Sequence, residues 1–318
     1  MNIMTVSNSV LGVFLISQLC VGVIGNTSLF ILYIYTFLFK PHFKKLIDLF
    51  FMHLTIANMV TIVFILIPDI VSTFGVPNFL DDVGCKVVLC IYRIFRGLSV
   101  STTCILSTFQ AVTMTPGNSQ WAWLKHKLST WTFSSLLCSW LINLAIYGYM
   151  VEMVIDKTNS TQGGHMYLHA YCQSNNFGNE NSEPFLSIIF MYDLLYVAIM
   201  MWTSLYMVIL LYRHHKRAQY LHSPSLSSQQ SPELRATHSI LLLVSCFVIL
   251  YWLSNFITLY GFYSQTKIPR LEGINAFWAA CYPTICPFLI MKNNKLILHF
   301  TSSFSALRMT CFQRALRS

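Results

Sequence analysis

Leu46–Ser72 reads LIDLFFMHLTIANMVTIVFILIPDIVS, and its only ionisable side chains are Asp48, His53 and Asp69. Crossing a hydrocarbon core takes about 20 apolar helical residues. Every backbone polar group must bond within the segment, because lipid offers no partner. This stretch meets that length and is apolar around most of its circumference, unlike the one-sided stripe of a soluble helix. Six further runs share the pattern: Val10–Phe39, Val87–Thr113, Leu128–Val151, Phe185–Tyr212, Thr237–Tyr263 and Gly273–Met291. The prediction is an all-α membrane protein, a single seven-helix domain with a tail at 292–318. Composition agrees: 10% of residues are charged and 55% hydrophobic, with a mean hydropathy of +0.58. A soluble surface needs roughly 25% charged residues.

The third run is the most polar, with Arg93, Arg96, Ser99, Ser101, Thr102, Thr103, Ser107, Thr108 and Gln110. Such a helix belongs in the centre of the bundle. Orientation follows from the basic residues beside the helix ends. With the N-terminus outside, the inner segments hold Lys40, Lys44, Lys45, Lys125, Lys127, Arg213, Lys216, Arg217, Arg235, Lys292, Lys295, Arg308, Arg314 and Arg317. The outer segments hold Lys86, Lys157, Lys267 and Arg270. This bias puts the C-terminus in the cytosol. It also accounts for the net charge of +9 as an inner-leaflet preference, with no nucleic-acid partner. The first run lacks a basic leader and a small-residue cleavage site, so it reads as an uncleaved helix.

On the outer side, Asn159-Ser160-Thr161 is a glycosylation acceptor, whereas Asn26-Thr27-Ser28 lies within the first helix and should stay bare. Cys85, at the mouth of helix 3, and Cys172, in the second outer loop, face the oxidising side. A disulfide between them would clamp the loop over the bundle, with Cys90 as the competing partner. On the inner side, Ser231-Pro232-Glu233 reads as a helix start, with Ser as cap and Pro as first helical residue. Ile297, Phe300, Phe304, Leu307 and Cys311 recur at steps of three and four, marking an amphipathic helix on the inner leaflet. Cys311 is a lipidation candidate.

No phosphate loop, no His-Glu-x-x-His and no Gly-x-Ser-x-Gly is present, so no enzyme and no cofactor are expected. His165 and His169 beside Cys172 are the nearest approach to metal spacing, and read as solvated loop residues. Charges inside the membrane are costly and therefore candidates for function. They are Arg93, Arg96, Asp69 and Asp193, with Tyr92, Arg96, Ser99 and Thr103 on one stripe of helix 3. These carry two readings: an ion-pair network holding helices 2, 3 and 5, or the polar floor of an outward-facing pocket. Tyr92, Phe95 and Tyr260 would complete such a pocket.

Seven helices, an outer N-terminus and a helix 3 to outer-loop disulfide suggest a G-protein-coupled receptor. Gly25-Asn26 and Leu54-Thr55-Ile56-Ala57-Asn58 match motifs of the commonest such receptors, with Asn58 where Asp is usual. Helix 3 has Ser107-Thr108-Phe109-Gln110-Ala111 in place of Asp-Arg-Tyr. The stretches GCKVVLCIYRIFRGLSVSTTCILSTFQAVTMTPGNSQWAWLK (Gly84–Lys125), SPELRATHSILLLVSCFVILYWLS (Ser231–Ser254) and YPTICPFLI (Tyr282–Ile290) closely resemble type 1 vomeronasal receptors. The resemblance implies a multi-pass plasma-membrane receptor for pheromone-like small molecules, signalling through an inhibitory-class heterotrimeric G protein. The G-protein face would have Phe109 and Gln110 at its centre, bordered by Arg213, Lys216, Arg217 and Arg235. A bitter-taste-like receptor and a membrane transporter are the alternatives.

Overall fold

A computed structural model describes residues 2–39, 46–76, 79–115, 122–148, 154–156, 167–169, 172–174, 182–221, 232–263 and 271–293. Its seven helices are α1 (Asn2–Phe39), α2 (Leu46–Thr73), α3 (Asp82–Met114), α4 (Ala122–Gly148), α5 (Ser182–Leu221), α6 (Pro232–Tyr263) and α7 (Leu271–Asn293). Five of them are long and apolar enough to cross a membrane. The exceptions are α3 and α4; in α3, Ser99, Ser101, Thr102, Thr103 and Ser107 are buried within the bundle.

Helix α3 starts five residues earlier than the apolar run suggests. The carboxylate of Asp81 caps it, accepting from the Gly84 N–H at 2.7 Å. Helix α6 begins at Pro232, where the Ser-Pro-Glu signal places it. Helix α5 runs past Tyr212 through the polar stretch to Leu221. Three short strands, β1 (Val154–Asp156), β2 (Tyr167–His169) and β3 (Cys172–Ser174), form an antiparallel sheet in the order β1-β3-β2. Periodicity does not foretell them, because three residues are too few to show a period of two. Strand β1 packs against α3.

Helix α3 touches α2, α4, α5 and α6, which puts it at the centre as expected. Its hydroxyls explain how so polar a helix is held in lipid. Ser99 donates to Asn58 Oδ1 of α2 at 2.7 Å. Ser101 pairs with Ser139 of α4. Thr103 bonds the Tyr282 hydroxyl of α7 at 3.0 Å, and Ser107 bonds Thr203 of α5 at 2.5 Å. His53 of α2 stands between α3 and α4. Trp140 donates to its Nε2 at 2.9 Å, so Nδ1 carries the proton and donates to Thr102 Oγ1 at 2.9 Å. Each bond replaces one that lipid cannot offer.

Helices α1 and α7 are joined by a related device. Pro287 has no N–H, so the carbonyl one turn back, at Pro283, loses its helical donor. Asn26 Nδ2 supplies it at 3.0 Å. Asn26 is 1% exposed, buried between α1 and α7.

Candidate functional site: a polar cavity around Arg96

Helix α3 presents Tyr92 and Arg96 on one face, four residues apart. Arg96 Nη1 donates to the Tyr92 hydroxyl at 2.6 Å. A second nitrogen, Nη2, reaches Asn255 Oδ1 of α6 at 3.4 Å. The guanidinium carbon lies 5.1 Å from the centre of the Tyr251 ring, within cation–π range. The Tyr251 hydroxyl in turn donates to Asp193 of α5. Arg96 and Asp193 are thereby joined through an aromatic ring, and the chain Tyr92–Arg96–Tyr251–Asp193 links α3, α6 and α5.

Beside this chain lies a cavity lined by Thr61, Arg96, Ser99, Val100, Phe247, Leu250, Tyr251, Ser254, Trp278, Ala279, Tyr282 and Pro283. Its walls come from α2, α3, α6 and α7. The free space is about 30 Å³, room for roughly two waters. Most of the lining is aromatic or aliphatic, with Arg96 and a few hydroxyls as polar points, the usual make-up of a small-molecule site. Ser254 is 1% exposed and its hydroxyl has no hydrogen-bond partner among the described residues.

Of the residues singled out from sequence, Tyr92, Arg96, Ser99 and Asp193 are brought together here. Arg93 does not line the cavity: its guanidinium lies 5.8 Å from the Tyr92 ring centre, near the same chain of residues, and its Nε is buried with no hydrogen-bond partner among the described residues. Asp69 is buried on α2 and does not line the cavity. Phe95 packs edge-on against Trp140 of α4. Tyr260 is a correction, since it is 56% exposed. It follows Tyr251 by nine residues, two and a half helical turns, and so lies on the opposite face of α6. Tyr251, Ser254 and Asn255 were missed. Their i, i+3, i+4 spacing was the available signal, as was the i, i+4 pair Trp278 and Tyr282 on α7.

At the other end of α3 the expected surface is closed. Gln110 is 5% exposed and donates to Thr237 Oγ1 of α6 at 2.8 Å. Phe109 packs edge-on against Phe50 of α2. Neither is at the centre of a surface in this conformation, because a long side chain at a helix crossing is covered until the helices part. Arg213 and Lys216 are exposed at the end of α5. The side chains of Arg217 and Arg235, and Asn159 and Cys311, lie outside the described residues. Cys85 is disulfide-bonded and Cys90 is free. The side chain of Cys172, at the start of β3, is also outside the described set. No group of three His, Cys, Asp or Glu residues suited to a metal occurs among the described residues.

The profile of the vomeronasal organ pheromone receptor family matches residues 9–303. The chain is 35% identical to human vomeronasal type-1 receptor 2 over 86% of its own length and 69% of the relative's. It is 32% identical to human vomeronasal type-1 receptor 4, covering 90% of this chain and 95% of the relative. Rat vomeronasal type-1 receptor 94 is 31% identical, over 90% and 87%. Among solved structures, squid rhodopsin superposes with a TM-score of 0.73 at 15% identity, covering 96% of this chain and 83% of that one.

Proposed function

The chain belongs to the vomeronasal organ pheromone receptor family and is a chemosensory G-protein-coupled receptor, and from that premise we propose that its ligand is a pheromone-like small molecule bound in the Arg96 cavity. The observation that carries this reading is the joint wall of the cavity. Helices α2, α3, α6 and α7 each contribute lining residues, and Arg96 is tied through Tyr251 to α5. A molecule of more than a few heavy atoms cannot enter about 30 Å³ without displacing Arg96, Tyr251 or Trp278. Binding therefore acts directly on the contacts between α3 and α6. A ligand shifts a two-state bundle only by its differential affinity for the two arrangements, and this cavity supplies that difference.

The N-terminus lies outside and the C-terminus in the cytosol, on the strength of the basic residues at the inner helix ends. The protein sits in the plasma membrane and couples to an inhibitory-class heterotrimeric G protein. A bitter-taste-like ligand range is the second reading. The test is nucleotide exchange on purified G proteins, with the receptor in lipid nanodiscs and a panel of volatile and non-volatile small molecules. Exchange on the inhibitory class by some compound, lost in Arg96→Ala at equal receptor level, is the expected result. Exchange on another class alone would overturn the coupling assignment, and activation insensitive to Arg96 would move the pocket.

The disulfide bond of Cys85 is formed with Cys172. Seven other cysteines are free, and the remaining one, Cys311, belongs to the tail after α7. Cys85→Ser and Cys172→Ser should each reduce surface expression, and the double variant should be little worse than either, since both break one bond. Flow cytometry on an epitope-tagged chain reads this. Additive losses would point to separate partners.

A further inference from the structure

Every hydroxyl on the wall of the Arg96 cavity but one has its hydrogen engaged elsewhere. Thr61 donates to the Ala57 carbonyl at 2.7 Å, and Ser99 to Asn58 Oδ1 at 2.7 Å. Tyr251 donates to Asp193. Tyr282 donates to Thr103, whose own hydrogen is held by the Ser99 carbonyl at 2.8 Å. Ser254 is the exception: it is 1% exposed, and its hydroxyl has no hydrogen-bond partner among the described residues. The charged donor of the wall is Arg96. Its described bonds occupy two of its five N–H groups, and both acceptors, on Tyr92 and Asn255, are neutral. The wall holds this guanidinium and no carboxylate. Asp193 stands behind the Tyr251 ring, and Arg93 and Arg96 share its field.

We infer that this cavity is a site for one small monovalent anion, chloride or its like, which accepts from Arg96 and Ser254, and that a signalling ligand displaces it. The displacement rests on the reading that the ligand binds in this cavity; the anion site does not. A buried charge needs an opposite charge close by and filled hydrogen bonds. Two cations face one carboxylate here, and that carboxylate is reached only through an aromatic ring. The free space of about 30 Å³ suits a monatomic ion, whereas a polyatomic acid has to move Arg96, Tyr251 or Trp278, as an organic ligand does. A cation is repelled by the guanidinium. Water would fill the hydrogen bonds but bring no counter-charge. An anion that binds the folded chain and not the unfolded one stabilises the fold by mass action.

The test is thermal unfolding of the full chain in nanodiscs without organic ligand, followed by tryptophan fluorescence. Sodium chloride replaces sodium gluconate at constant ionic strength, so general screening is unchanged. The midpoint should rise saturably with chloride, by about 2 °C once chloride is about five times its dissociation constant. Ser254→Ala should need about tenfold more chloride for the same rise, the weight of a hydrogen bond to a charged group. Asp193→Asn removes the carboxylate that competes for the arginines, and should need less chloride than wild type. Arg96→Gln combined with Asp193→Asn should show no chloride-dependent rise. A wild-type midpoint indifferent to chloride overturns the anion site. A rise that Ser254→Ala and the Arg96→Gln double variant both retain also overturns it, because chloride then acts elsewhere. Displacement has its own readout. A compound of the small-molecule panel that evokes nucleotide exchange should be about sixfold less potent in that chloride than in gluconate, by simple competition. Chloride stabilisation through Arg96 and Ser254 with an agonist potency indifferent to chloride keeps the anion site and moves the ligand out of this cavity.

Discussion

Gly97→Ala is expected to keep most of the protein inside the cell. A Cβ at this position would stand 1.9 Å from Asn143 Oδ1 and 2.8 Å from Tyr147 Cε2. Neither neighbour can give way freely. Asn143 is fully buried, with its Nδ2 held by the Ser139 carbonyl at 2.7 Å, and Tyr147 is 3% exposed. The alternative is to move α3 away from α4. That would stretch the Ser101–Ser139 pair and the Trp140–His53–Thr102 chain, which depend on the same close approach. Overpacking of this kind costs about 1–3 kcal/mol, and a loss of about 1–2 kcal/mol changes cellular abundance several-fold. Asn143→Ala alone should be mild, because the Asn143 Oδ1 has no hydrogen-bond partner among the described residues. Combined with Gly97→Ala it should recover part of the surface signal, the residual loss coming from Tyr147. Normal surface expression of Gly97→Ala would mean that α3 and α4 are farther apart than this geometry has them.

The membrane fold was legible because lipid imposes a requirement on every residue of a span. A run such as Leu46–Ser72 has one physical explanation. The central place of α3 was legible for the converse reason: hydroxyls at 99, 101, 102, 103 and 107 cannot face lipid on all sides, so protein must surround them. Which helix each hydroxyl meets was not legible. Ser101 and Thr102 are neighbours in sequence, yet bond α4 and α2 respectively, and that depends on helix phase and crossing angle. The cavity was legible on one wall only. Tyr92, Arg96 and Ser99 followed from the polar stripe of α3, whereas Tyr251 and Tyr282 are aromatic residues in apolar helices and look like core. Tyr260 was assigned to the pocket by chemical type alone, and the helical phase places it on the other face. Asp69 and Asp193 looked equivalent as carboxylates for Arg96. Geometry separates them, because only Asp193 is reached through Tyr251.

That separation changes the expected behaviour of the buried arginine. Arg96→Gln should lower surface expression, and Asp193→Asn in the same chain should restore it, whereas Asp69→Asn should not. A guanidinium stays charged at any pH the cell meets, and Asp193 lies within its field and that of Arg93. Removing the charge at 96 leaves the carboxylate in a low-dielectric site with the Tyr251 hydroxyl as its hydrogen-bond donor and a more weakly placed cation. Breaking a buried charge pair costs about 3–5 kcal/mol. Here the shared Tyr251 ring and Arg93 moderate it, so the lower end of that range applies. Asn at 193 still accepts from Tyr251 and needs no counter-charge, which is why the double variant should reach the surface. Its response should stay absent. The cavity would then have lost the side chain that lines it and joins α3 to α6, and a neutral amide cannot reproduce the five N–H groups of an arginine. Surface labelling and ligand-evoked nucleotide exchange read the two outcomes separately. A double variant that folds and responds like wild type would show that Arg96 serves only to balance Asp193. An Arg96→Gln single variant with normal expression and normal response would remove this residue from both the fold and the site.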